Sequence, residues 1–165
     1  MQEFFGGNDQ PRLNIRGSGI QDNPVSRGVQ LLYDGLPINQ ADGSYVIGLL
    51  PAEQMRFLTV YRGANALKYG GSTLGGAINM ITRTAMNSDN FIRMQAGSFD
   101  TCNGNFGIGE VKDKWDYYIG AGHSESDGFR HQSEGERSNL SINFGYRDGN
   151  IENRTWFNYT DNYFI

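Results

Sequence analysis

Residues Tyr61–Arg83 read YRGANALKYGGSTLGGAINMITR, with five glycines, four of them in two adjacent pairs, and an apolar run, AINMI, near the close. So much backbone freedom just ahead of a strand-like run first suggests a phosphate-cradling loop. The residues fail that test. Gly70 and Gly75 have the four-residue spacing of a P-loop, but Gly76-Ala77 stand where lysine and a hydroxyl residue are needed to neutralise phosphates and hold magnesium. Gly17-Ser18-Gly19 and Gly107-Ile108-Gly109 each lack the third glycine of a dinucleotide fingerprint.

Other chemistry is equally sparse. His123 and His131 read as members of one polar loop, without the i, i+4 helical spacing of a metal pair, and Cys102 is far off in sequence. No serine has a G-x-S-x-G context. Asp113 with Asp116, and Glu134 with Glu136, read as solvated charges rather than acid–base pairs. The expectation is no catalytic residue, no metal site and no cofactor.

Composition narrows the classes. Among 165 residues there are 23 glycines, 9 tyrosines and 10 phenylalanines but only 4 prolines, which suits short strands joined by turns. A net charge of −4 offers no basic field for a nucleic-acid backbone. The single cysteine excludes an internal disulfide framework. No run of 18 apolar residues exists for a transmembrane helix, but barrel strands hide their apolar face in alternate positions. Met1 is followed by QEFFGGNDQ, with neither the cationic start nor the apolar core of a signal peptide. Either the protein is cytosolic, or the sequence starts downstream of the true N-terminus.

The two halves differ in grammar. Residues 1–89 hold equal numbers of acidic and basic side chains, so residues 90–165 carry the whole net charge. The first half has short apolar runs, with strands expected near 29–33, 57–61 and 77–82, turn dipeptides Asp34-Gly35 and Asp42-Gly43, and one helical turn starting at Pro51. It reads as a small mixed α/β unit. The second half alternates with period two: Leu140, Ile142, Phe144 and Tyr146 oppose Ser141, Asn143, Gly145 and Arg147, and Trp115, Tyr117, Ile119 and Ala121 oppose Asp116, Tyr118, Gly120 and Gly122. Ile92, Met94 and Ala96, and then Cys102, Gly104, Phe106 and Ile108, repeat the pattern. With turn clusters GSFD, GEVKDK, SESDGFRHQSEGE and RDGN between the runs, five strands of about ten residues form an antiparallel meander. Alternation alone favours a soluble sandwich or barrel over a membrane wall.

Taken in order, IRG at Ile15–Gly17, VQLLYDGLPIN at Val29–Asn39 and the opening Gly-rich stretch resemble the plug domain of TonB-dependent outer-membrane receptors, over about residues 13–85. Within that family the pattern is similar to ferric-citrate-type and metallophore-type receptors, with Lys68 in place of an arginine. The resemblance implies a plug over residues 1–86 followed at 90–165 by the first five or so strands of a transmembrane barrel, and so reverses the soluble reading. The family often has Arg-Ile-Glu-Val-Leu ahead of its RG; here Phe57 and Thr59 replace the charged pair.

The resemblance further implies TonB-energised uptake of an iron–siderophore or other metal chelate across the outer membrane of a Gram-negative bacterium, with membrane lipid around the barrel and TonB pulling on an N-terminal segment not contained here. The sequence reads as an internal piece of a longer receptor, because five strands cannot close a 22-stranded wall. Expected ligand contacts are Asn39, Gln40, Asp42, Ser44 and Tyr45 in the turn after DG-P, with Lys68 and Tyr69 as a second set. Arg16 and Arg62 are expected to face barrel or plug carboxylates. The alternative is a soluble antiparallel β module in which Trp115, Tyr117, Trp156 and Tyr159 form a stacking platform for glycans or a protein.

Overall fold

The computed structural model describes residues 2–3, 11–12, 15, 28–45, 50–70, 75–128 and 133–164. They fall into two units: 50–54 and everything from Arg83 onward make the second, and the remaining described residues make the first. Arg16, His131 and the glycines Gly17, Gly19 and Gly71 lie outside the described residues.

In the first unit a short pair, β1 (Gln2–Glu3) and β2 (Pro11–Arg12), is antiparallel. The main sheet comprises β3 (Val29–Tyr33), β4 (Leu36–Pro37), β5 (Met55–Arg62) and β6 (Gly76–Thr82) in the order β4-β3-β6-β5. β3 and β6 are parallel, while β5 runs antiparallel to β6 with a register shift between Met55 and Phe57. β3, VQLLY, is buried along its whole length, as a near-continuous apolar central strand should be. The Asp34-Gly35 turn after it has φ of 49° and 85°, the paired positive values of a type I′ hairpin. Its polar groups are tied to β6: Asp34 Oδ1 accepts from Thr82 N (2.9 Å) and Asn79 Oδ1 from Gly35 N (2.9 Å).

Gly76 answers part of the opening question. A Cβ there would collide with the carbonyl oxygen of Tyr61 on the paired strand β5, so the glycine permits close backbone approach. The expected strands at 29–33, 57–61 and 77–82 are present, β5 being longer than expected. Helical content among the described residues consists of 310 segments at Ala52–Gln54, directly after Pro51, and Gly63–Tyr69.

The second unit is a five-stranded antiparallel meander in the order β11-β10-β9-β8-β7. Its strands are β7 (Phe91–Ala96), β8 (Cys102–Lys112), β9 (Trp115–Ser126), β10 (Gly135–Asp148) and β11 (Ile151–Phe164). They outrun the expected turns. GEVKDK turns only at Asp113-Lys114, because Gly109–Lys112 keep pairing with β9. The 124–136 cluster loses Ser124–Ser126 to β9 and Gly135-Glu136 to β10, which pair with each other. His123 is therefore a strand residue rather than a loop residue. Polar side chains at a strand end do not break a ladder made by backbone groups.

Register assigns the faces. Ile92, Phe106, Ala121, Leu140 and Tyr159 form one row across all five strands, and Ile108, Ile119, Ile142 and Phe157 form the next. This apolar face is exposed, with Met94 at 84% and Ile92 at 79%. The opposite face carries Asn105, Asp116, Asn139 and Asn143, and these polar residues are buried, Asn143 to 3%. That is the reverse of a water-soluble sheet and matches a barrel wall with lipid outside and a polar interior. Among the described residues no helix is long and apolar enough to cross a membrane.

On the polar face Arg154 grips Asp116 with two bonds (Nη1–Oδ1 2.9 Å, Nη2–Oδ2 3.0 Å) and donates to Asn143 Oδ1 at 2.7 Å. Asp116 and Arg154 lie on β9 and β11, with Gly145 of β10 between them. A Cβ at Gly145 would strike both partners, so its absence lets the ion pair span the middle strand. The four aromatics of the alternative reading do not share one face. Trp115, Tyr117 and Tyr159 share the apolar face, but Trp156 opposes Asn143 on the polar one. An odd sequence offset from Tyr159 puts it there.

Candidate functional site

The turn after DG-P is built around Asn39. Its Oδ1 accepts from Leu31 N (2.7 Å) and Gln30 Nε2 (2.8 Å), and its Nδ2 donates to Val29 O (3.0 Å) and Gly43 O (3.1 Å). These four bonds fill the capacity of a carboxamide. Asn39 thus fastens the turn to β3. Gly43 N donates to Gln40 O (2.9 Å) and Gln40 N to Ser44 O (2.8 Å), closing a tight loop with Gly43 at φ 83°. Asp42 Oδ1 accepts from both Ser44 N (3.0 Å) and Ser44 Oγ (2.6 Å), an Asx turn. Ser44 and Tyr45 are buried, leaving Gln40 and Asp42 as the exposed side chains of the five.

The second set sits on the Gly63–Tyr69 310 helix. Ala66 packs against Leu32 and Ala77, with Tyr61 and Tyr69 alongside. The Tyr61 and Tyr69 rings have centroids 5.0 Å apart at 52°, and Lys68 Nζ stands 4.7 Å from each. Hydrogen bonds from Tyr61 and then Lys68 hold the Tyr69 hydroxyl below the usual tyrosine pKa, while the bond to Tyr69 raises both Tyr61 and Lys68. Lys68 is therefore a fixed cation at neutral pH.

Lys68 shares an open hollow of about 550 Å³ with Val60, Tyr61, Arg62 and Asn65. Arg62, Asn65 and Lys68 recur at intervals of three, the period at which 310 side chains eclipse. The grouping of Arg62 and Asn65 with Lys68 is legible in that spacing, though the glycines are the more conspicuous feature of the stretch. Arg62 is exposed here, so an ammonium and a guanidinium line one hollow.

Strand register brings the two sets to the same end of the sheet. Arg62 pairs with Gly76, and Gly76 pairs with Val29, whose carbonyl receives Asn39. Gly75 N donates to Gly28 O at 2.9 Å beside them. The result is one rim carrying Gln40 and Asp42 on one loop and Lys68 and Arg62 on the other. Such a rim can recognise an oxygen-rich anion through the two cations and an aromatic or apolar body through the tyrosine faces.

Among the described residues of the rim, none supplies a nucleophile–base pair. Among the described residues no group of three or more His, Cys, Asp and Glu side chains could hold a metal ion. His123 lies within hydrogen-bond reach of Ser138 (3.0 Å) and 3.9 Å from Glu125 and Glu136, all exposed on the second unit. Cys102 is an exposed free thiol at the start of β8.

Residues 1–77 match the TonB-dependent Receptor Plug Domain. Among solved structures, the pyoverdine outer membrane receptor FpvA of Pseudomonas aeruginosa PAO1, bound to pyoverdine, aligns with a TM-score of 0.67 and 20% identity, over 83% of this chain and 21% of its own. The siderophore receptor PirA of Acinetobacter baumannii aligns at 0.54 and 19%, over 84% and 25%. A mutant of the ferric enterobactin receptor PfeA of Pseudomonas aeruginosa aligns at 0.59 and 16%, over 95% and 28%. At these identities the likeness is one of fold. A search of the curated proteins gives no match. The present chain spans 21% to 28% of the length of these three receptors. Residues 1–77 thus carry a TonB-dependent receptor plug domain, and the strands after it share the antiparallel fold of these receptors.

Proposed function

We propose that the protein containing this chain is an outer-membrane receptor that takes up an iron–siderophore or similar metal chelate, energised by TonB. Residues 1–86 are its plug and residues 90–165 the first strands of its barrel. The observation that carries this reading is the sidedness of the meander following a plug domain: apolar side chains outward, buried polar side chains on the other face. Siderophore receptors among the structures of like fold support the substrate class. The rim adds a physical reason. Lys68 and Arg62 suit the negative oxygen donors of a chelate, with Tyr61 and Tyr69 flanking it. Gln40 and Asp42 contact the ligand from the other loop; Asn39, Ser44 and Tyr45 hold that loop in place. TonB engages a segment preceding the plug, the plug gates the lumen, and no bond in the substrate is made or broken.

The test uses the intact gene in a Gram-negative strain lacking its own iron receptors. Radioactive iron is offered as catecholate, hydroxamate and citrate chelates. One chelate should accumulate, and only while the cell's TonB system is intact. A receptor found in the outer membrane that raises uptake of none above the control removes the proposal. Arg62→Ala with uptake unchanged would remove Arg62 from it.

A further inference from the structure

We infer that the turn Leu50–Gln54 is a releasable latch on the barrel wall. In sequence it lies between β4 and β5 of the first unit, yet it belongs to the second. Pro51 is fully buried and Gln54 is 4% exposed. Gln54 Nε2 reaches Asn105 Oδ1 (3.5 Å) and Asn139 Oδ1 (3.4 Å) on β8 and β10, and Arg137 Nη2 donates to Leu50 O at 3.0 Å. Between those strands the wall is shaped for this side chain. Gly120 of β9 lies under the Gln54 carboxamide, where a Cβ would collide with it, and Gly122 makes room for Asn105 and Asn139 in the same way.

The seat is specific in shape and weak in bonding. Both carboxamide contacts are at the long limit of a hydrogen bond, and Gln54 Oε1 is buried with no donor among the described residues. Contacts this long are readily exchanged for bonds to water when the turn leaves, which lowers the cost of release. A seat of this kind fixes the turn at rest and lets go under load. The inference rests on the transport reading, since the load is the pull that opens the plug.

The experiment uses the intact receptor with Cys102→Ser, Gln54→Cys and Gly120→Cys. The contact of the Gln54 side chain with the space over Gly120 places the two new thiols within bridging range. Oxidation should form the bridge, leave chelate binding unchanged and cut uptake at least tenfold, and reduction should restore uptake. A bridged receptor that transports at the reduced rate overturns the latch alone. Failure of the thiols to bridge overturns the seat itself. A bridged receptor whose reduced form binds but moves no chelate overturns the transport reading and the latch with it.

Discussion

The plug sheet and the barrel strands use the same alternation of side chains to opposite ends. In the first unit the apolar residues of β3 and β6 are buried and the sheet excludes water as any soluble core does. In the second, the buried face is the polar one and the isoleucines, phenylalanines and methionines stand outside. Buried polar groups must be paired, which the Asp116–Arg154–Asn143 cluster achieves across three strands. The difference teaches that burial, not hydrophobicity, marks the interior here. The same residue types stabilise the first unit by leaving water for a core; in the second they face outward, where the proposed barrel sets lipid.

That contrast can be broken at its strongest point first. Arg154→Ala leaves Asp116 buried without its cation and should destabilise the wall by about 3–5 kcal/mol, read from the unfolding midpoint of the intact receptor. Adding Asp116→Asn should recover part of the loss. An unaltered midpoint in the single variant would mean that the polar face is wet rather than sealed. In the plug, Leu31→Ala should cost about 2–5 kcal/mol through a cavity in a fully buried strand, detected as faster proteolysis of the plug.

The membrane assignment is sharpened by a charge placed on each face. Ile142→Arg, in the middle of the apolar face, should cost about 2–4 kcal/mol and lower the amount of receptor assembled in the outer membrane. Gln95→Arg on the opposite face should be tolerated. Equal tolerance at both positions would return the meander to a soluble setting.

The smallest effect belongs to the rim. Lys68→Gln should weaken binding of an anionic chelate roughly tenfold, the scale of one charged hydrogen bond, and flatten its salt dependence. The Lys68 pKa is raised by Tyr69, so the charge it offers is complete at neutral pH. Any stability from that contact is present below the ordinary lysine pKa and is lost only as pH rises through the raised one. Chelate affinity limited by Lys68 should accordingly stay level from pH 6 to about 9. A fall within that window would assign recognition to another group.

Much of this was legible beforehand, for definable reasons. Asp34-Gly35 announced its hairpin because two successive positive φ values suit few residue types. Strand positions followed from period-two alternation. The strand ends did not, since Gly109–Lys112 and Ser124–Ser126 continue their ladders through backbone bonds that side-chain polarity does not report. Asn39 reads in sequence as an exposed turn amide; the four bonds that fasten it to the turn and to β3 are visible only in the fold.

The sequence by itself determined which residues share a face, where the tightest turns fall and the order of plug motifs ahead of the strands. These are local properties, set by backbone geometry and by the conformational demands of single residues. Tertiary structure decided which face is the inside, because alternation is symmetric until something covers one side. It also decided that Leu50–Gln54 seats over Gly120 and that the two rim loops meet at one end of the first sheet. Each depends on strands paired across dozens of residues, and no local rule specifies such pairings.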